Sequence, residues 1–254
     1  MNLFLLAAII AAQITVPPPP SVTPVQQKFA EGETLDYNLA WLKITGGTAR
    51  MTIQPHGDDS FRITSVAHSS PSFSRIFRVR DAIETTVARG DFSTTRYVKR
   101  LDEDGDKIEE VTVIEDGVAT RTRKKVKKVK VPRPVFDPIS VIYLLRQRDL
   151  TPGKVYDFEL IADGRLYTVH ARVVRKEKVQ TAAGTFDCVR VEPQMLSGGV
   201  ERSERLFLWY TDDERKIPVR IRTEVKFGAV TASLRGVSAG VTSLDPPVQV
   251  EAKK

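Results

Sequence analysis

The chain has little of what enzymes and disulfide-braced proteins are built from. It holds one cysteine and three histidines in 254 residues. A lone Cys188 forbids an internal disulfide, so folding does not depend on oxidation. It sits in the strand-like stretch Thr185 to Val191, where a small buried residue is the plain reading and a reactive thiol the alternative. His56, His68 and His170 are scattered, none at metal-ligand spacing. Neither a Gly-x-Ser-x-Gly elbow nor a phosphate-cradling glycine loop occurs. Glu109, Glu110, Asp212, Asp213 and Glu214 fall in turn-like or strand-surface settings, although folding can still pair distant carboxylates. The expectation is a protein that is not an enzyme and needs no cofactor and no metal, with a hydrolase as the weaker alternative.

Long hydrophobic runs are also missing. Leu3 to Val16 is the one uncharged, mostly apolar stretch, and Pro17 to Pro20 end it. A bilayer span needs roughly 20 residues, whereas a secretion-signal core needs only roughly 7–15. Prolines cannot prolong a helix interior. The stretch therefore predicts a signal peptide over 1–12, cut near Ala12–Gln13, with an uncleaved anchor as the alternative. No cysteine stands there to be acylated. Residues 13–28 read as a flexible Pro-rich leader, 29–240 as one β domain, and 241–254 as a disordered tail. The expected location is periplasmic or secreted.

What the chain has is positive charge and a period of two. The formal net charge is +7, which favours anionic headgroups, lipopolysaccharide phosphates or cell-wall carboxylates over nucleic acid in that compartment. The excess peaks between Arg121 and Arg133, where Arg121, Arg123, Lys124, Lys125, Lys127, Lys128, Lys130 and Arg133 are eight cations in thirteen residues without an acid. Such a run either grips an anionic surface or protects an edge strand from aggregation by its lysines. Few aromatics interleave with it, against a base-stacking platform.

Alternation marks strands at Leu35-Tyr37-Leu39-Trp41, Ala49-Met51-Ile53, Phe61-Ile63-Ser65, Tyr167-Val169-Ala171-Val173 and Val219-Ile221-Thr223-Val225-Phe227. Gly46-Gly47 reads as a break between two of them. Asp104-Gly105, Asp116-Gly117, Asp163-Gly164 and Gly198-Gly199 read as hairpin turns, because these residues accept positive φ. One segment departs from the period: Asp137-Pro138 opens a helix over about 137–148, with Asp137 as its cap. The fold class is all-β with one helix. We expect a strongly curved antiparallel sheet or half-open β-barrel of about 11–12 strands, plugged by the helix. Tyr143 and Arg146 share a helix face. With Trp41 they are candidates for a ligand-binding mouth, Arg146 meeting an anionic headgroup; the competing reading pairs Arg146 with an internal carboxylate.

The stretch Asp137-Pro138-Ile139-Ser140 with Tyr143-Leu144-Leu145-Arg146 resembles the helix of the bacterial domain of unknown function 3108 family. Three further stretches fit in order: Gly32 through Trp41 with Gly46-Gly47, Ala183 to Cys188, and Leu208 to Asp213 leading to Ile217-Pro218-Val219-Arg220-Ile221. The resemblance covers about residues 28 to 236 and implies an exported β fold without an established activity. The closing pattern is similar to that of periplasmic lipoprotein carriers, which implies by analogy a half-open barrel around an apolar cavity. The expected function is a non-enzymatic periplasmic binding or carrier protein for a lipid or other apolar ligand, its partner an anionic membrane surface. The alternative is a structural envelope protein that binds a protein or the cell wall through a sheet edge and the basic run.

Overall fold

The computed structural model describes residues 28–42, 44–201, 203, 205–225 and 228–239. The expected signal peptide, nearly all of the leader and the tail lie outside the described residues. The strands are β1 (Thr34–Trp41), β2 (Ile44–Pro55), β3 (Ser60–Ser69), β4 (Arg80–Ala88), β5 (Thr94–Glu103), β6 (Asp106–Glu115), β7 (Val118–Thr122) and β8 (Val126–Lys130). After helix α1 (Ser140–Arg146) come β9 (Val155–Ala162), β10 (Arg165–Thr181), β11 (Gly184–Ser197), β12 (Val200–Glu201), β13 (Arg205–Thr211), β14 (Pro218–Val225) and β15 (Gly228–Ser238). All belong to one antiparallel sheet. Its order is β8-β7-β6-β5-β4-β3-β2-β1-β15-β14-β13-β11-β10-β9, with β12 paired to β11. Among the described residues, fifteen strands replace the expected 11–12. The additional ones carry weak alternation: β8 reads Val-Lys-Lys-Val-Lys and β12 is two residues long.

Alternating residues make the core. Cross-strand pairs Leu35–Met51, Ile53–Ile63, Phe61–Val87 and Val191–Leu208 place buried apolar side chains on the same face. The turns behave as their composition demands. Asp104, Asp116 and Asp163 have φ of 51°, 47° and 50°, each followed by a positive-φ glycine. Gly46-Gly47, however, is no break. The pair lies within β2, and Gly46 is the extra residue of a bulge opposite Leu39/Ala40. A Cβ on Gly47 would stand 2.2 Å from the His68 carbonyl oxygen, and one on Gly46 would meet the Phe73 ring at 2.9 Å. These glycines allow close packing. The reversal itself begins at Leu42, with φ of 47°.

The helix is shorter than the expected 137–148. Asp137 Oδ1 accepts the N–H groups of Ile139 (2.7 Å) and Ser140 (3.0 Å), while Ser140 Oγ accepts the Asp137 N–H (2.8 Å). This reciprocal cap consumes the first turn. At the other end the N–H groups of Gln147 and Arg148 reach back only three residues, to Leu144 and Leu145. All seven helical residues are buried.

The sheet curls around this helix without pairing strand β8 to strand β9; past β8, the Phe136 N–H donates to the Glu159 carbonyl (2.9 Å) and the Phe136 carbonyl accepts from Ile161 N–H (2.8 Å) on β9. Its two edges, β8 and β9, meet along a seam of side chains. Ile114, Ala119, Val131, Val135 and Ile161 form a small apolar cluster there. A bridge joins Phe136 to Leu160, and an ion pair joins Lys99 to Asp163.

Asp137 Oδ2 also accepts from Thr85 Oγ1 (2.5 Å) on β4 and Thr94 Oγ1 (2.6 Å) on β5, fully buried. Asp137→Ala removes a cap and the nearest acceptor of two buried hydroxyls, leaving Thr85 the Arg96 carbonyl (3.2 Å) and Thr94 the Ser140 hydroxyl (3.1 Å). We expect a loss of about 3 kcal/mol in urea-denaturation stability, and a smaller loss for Asp137→Asn.

Candidate functional site

The sheet topology gives the molecule two unlike ends. At the helix end lie α1, the segment before β1, and the turns β2–β3, β4–β5 and β13–β14. This end is filled. Phe29 packs edge-on against Phe61 (5.4 Å), Phe92 (5.7 Å) and Tyr143 (5.8 Å between centroids). Arg146 lies over Phe29 and Tyr143 at 5.6 and 5.4 Å. Its guanidinium binds both oxygens of Glu33 (2.5 and 3.0 Å), the Lys28 carbonyl (3.1 Å) and the Arg215 carbonyl (3.1 Å).

Tyr143 and Arg146 therefore line no mouth; both have zero exposure. Arg146 meets an internal carboxylate, because a guanidinium pointed into an apolar interior is stable only when paired and hydrogen-bonded. Burial pushes the Tyr143 hydroxyl well above its ordinary pKa, and that hydroxyl has no hydrogen-bond partner among the described residues. Glu33 was missed by sequence reasoning. It lies 113 residues from Arg146, and nothing local in Gly32-Glu33-Thr34 signals the pairing.

The opposite, far end carries the turns β1–β2, β5–β6, β7–β8, β9–β10 and β14–β15 and the β3–β4 connection. Toward it the core face stays partly open. Leu39, Ile83, Leu101, Met195, Leu206 and Ala232 continue the buried rows but are only half-buried. Asp81 shares this face; burial and the neighbouring Glu103 raise its carboxyl to about 6. Trp41, the third candidate, stands at the rim. It is 39% exposed, and its indole meets Phe73 edge-on at 6.5 Å.

The basic run divides. Arg121 is drawn inward: its Nη2 donates to Glu110 Oε2 at 2.6 Å, with Glu110 wholly buried. It is thus a structural cation and not a surface contact, because the buried carboxylate needs a counter-charge. Arg123, Lys124 and Lys125 form the β7–β8 turn, Lys127, Lys128 and Lys130 lie on edge strand β8, and Arg133 follows. All seven are exposed, and none has a carboxylate partner among the described residues.

Two surface hollows accompany these features. A groove of about 650 Å³ lies on the face away from the core, between Leu42, Trp209, Arg220 and Arg222 over a floor of Ala40, Thr231 and Ser233. Two of its polar groups are engaged: Trp209 Nε1 donates to Glu177 (2.6 Å), and Arg220 Nη2 to the Gln180 carbonyl (2.7 Å), while Arg220 Nε has no hydrogen-bond partner among the described residues. A smaller one, about 330 Å³, lies by Lys28, Asp149 and the β13–β14 turn. Cys188 is fully buried, and burial pushes its thiol up to about 12. His170 pairs with Asp157 at 2.6 Å on the strand surface. No group of three His, Cys, Asp or Glu able to hold a metal occurs among the described residues.

A curled, unclosed antiparallel sheet around one helix defines a β-barrel-like protein. The chain belongs to the family described as protein of unknown function DUF3108, whose model matches residues 34–235. In structure it is similar to a β-barrel-like protein of domain of unknown function DUF1849 from Brucella abortus, with TM-score 0.55 and 12% identity over 82% of this chain and 98% of that one. A candidate exported protein with a YmcC-like fold from Bacteroides fragilis matches at TM-score 0.31 and 13% identity, covering 85% and 97% of the two chains. A candidate lipoprotein from Parabacteroides distasonis matches at 0.33 and 13%, covering 85% and 98%. No curated protein matches the chain in sequence.

Removing one partner of the buried pair strands a charge. We expect Arg146→Met or Glu33→Met alone to cost about 3–5 kcal/mol, and the two together to cost less than either, in a chemical-denaturation cycle.

Proposed function

We propose that this protein is a non-enzymatic binding or carrier protein of the cell envelope that holds an apolar ligand against the concave face of its sheet. The observation that supports this is the contrast between the two ends. The helix, Phe29 and the Arg146–Glu33 pair fill one end. At the other, Leu39, Ile83, Leu101, Met195 and Leu206 face inward yet keep solvent exposure. Half-covered apolar side chains on a concave wall are what an acyl chain would cover, each CH₂ contributing about 0.8 kcal/mol on burial. The ligand enters at the far end, because the helix end is packed. The family match and the similar fold name no activity and are compatible with this role.

A second reading rests on β8. It has no strand partner beyond β7, and its exposed cations lack carboxylate partners among the described residues, so an anionic surface or an acidic protein segment could dock on them.

The full chain, purified and extracted with organic solvent, should yield a stoichiometric apolar species by mass spectrometry. It should also take up a fluorescent fatty acid, and Leu206→Arg should cut that uptake by at least about tenfold, because it sets a charge on the apolar wall. An empty extract together with no uptake by the wild type would discard the carrier reading in favour of the edge-docking one.

A further inference from the structure

The exposed apolar residues are not spread evenly. Ten large hydrophobic side chains are exposed among the described residues: Trp41, Leu42, Ile44, Ile76, Phe77, Val126, Val155, Val200, Val230 and Val237. Strand directions place eight of them at the far end. Only Val155, at the start of β9, and Val237, near the end of β15, lie toward the helix end. A soluble surface scatters such residues singly; a concentration at one end marks a contact.

The far-end residues also form an arc. Going round the sheet order, Val200 opens β12, Val230 lies near the start of β15, Trp41 ends β1 and Leu42 follows it, Ile44 opens β2, and Ile76 and Phe77 lie between β3 and β4. Contacts tie them together. A Cβ on Gly228 would meet Leu42 at 2.6 Å and Trp41 Nε1 at 3.3 Å. Trp41 pairs with Val230 in register and packs on Phe73. The N–H groups of Ile76 and Phe77 return to the Phe73 carbonyl (2.8 and 2.9 Å), which pins the β3–β4 connection beside Trp41.

We infer that this rim is the surface by which the protein inserts, end-on, into the outer layer of an anionic lipid bilayer. The side chains come from several separate strand ends and turns, and of them Leu42 also borders the outer groove. Such tips can each enter a fluid interface, whereas a rigid protein partner would need a matching relief. A tryptophan and a phenylalanine among aliphatics is the composition that lipid interfaces favour. Charge agrees. Exposed Arg75 and Arg80 flank the arc, and Arg123, Lys124 and Lys125 occupy another turn of the same end, all without carboxylate partners among the described residues. Each cation held near an anionic membrane contributes to binding. The acidic turn Glu103–Asp106 interrupts the rim between β5 and β6, so the apolar arc leads and the β7–β8 cations form a second contact. This docking does not depend on whether the concave face holds a ligand.

The test uses the full chain and vesicles of phosphatidylglycerol with phosphatidylcholine. Leu42→Ser, Ile44→Ser and Ile76→Ser, all at well-exposed positions, together should lower partitioning about tenfold or more at both low and high salt. Lys124, Lys125, Lys127 and Lys128 each changed to Gln should weaken it chiefly at low salt, because screening already removes their share at high salt. Ile76→Cys carrying an environment-sensitive fluorophore should shift to the blue on adding vesicles and be quenched by brominated lipid. The same label at Val155→Cys should stay silent, and buried Cys188 should remain unlabelled. Unchanged partitioning of the triple variant, equal signals at both labelled sites, or a wild-type dimer that ignores vesicles and dissociates in the triple variant would each overturn the inference. A failed ligand extraction would leave these readouts intact.

Discussion

The guanidinium of Arg146, buried against Glu33, is the constraint from which the rest of the molecule follows. A helix of seven residues has no stability of its own in water. Here each end is tied to the sheet by a charged group that has left solvent entirely. At the C-terminal end Arg146 reaches Glu33 and the Lys28 carbonyl before β1, and the Arg215 carbonyl in the β13–β14 turn. At the N-terminal end Asp137 gathers Thr85 of β4 and Thr94 of β5. The helix therefore links strands that stand far apart in the sheet order, which a sheet whose edge strands β8 and β9 do not pair needs in order to stay curled. Burying these charges is costly unless each is fully satisfied. That cost makes the linkage specific: a different placement of the helix would leave Asp137 or Arg146 unpaired.

One end is filled by this arrangement, and the other is left as a rim. The difference is one of side-chain size and polarity along the same inward-facing rows. Near the helix the rows carry Tyr37, Phe61, Ile63 and Leu208, all at 2% exposure or less. Farther along they pass through Leu39, Ser65, Ala67 and Leu206, which cover less of one another. The seam between β8 and β9 shares the same economy of means. Apolar packing closes it near the helix, and the Lys99–Asp163 pair crosses it toward the rim.

Much of the fold is legible in the amino-acid sequence, because period two and Asp-Gly turns are local. Leu35-Tyr37, Met51-Ile53 and the three Asp-Gly hairpins stand where their pattern puts them. What is not legible is non-local. The glycines 46 and 47 look like a reversal from neighbours alone, yet their reason is the closeness of Phe73 and the His68 carbonyl across the sheet. Arg121 looks like one more surface cation until Glu110, on the adjacent strand, is seen to be buried beneath it. Tyr143 and Arg146 look like a mouth because an amphipathic arginine on a lone helix has two uses, and only the position of Glu33 decides between them. The rim was invisible for another reason. Its members come from turns separated by up to about 190 residues, and only the strand directions bring them to one end.

The account rests on a concave face that is packed near the helix and open toward the rim. Single cysteines placed along the inward rows, at Leu39, Ile83 and Leu206 and at Ile53, Ile63 and Leu208, can be challenged with a water-soluble maleimide in the native protein, where Cys188 contributes little background because it is buried. Rapid labelling at the first three positions and protection at the second three is the predicted result. Equal protection at all six, showing an interior filled from end to end, would contradict it.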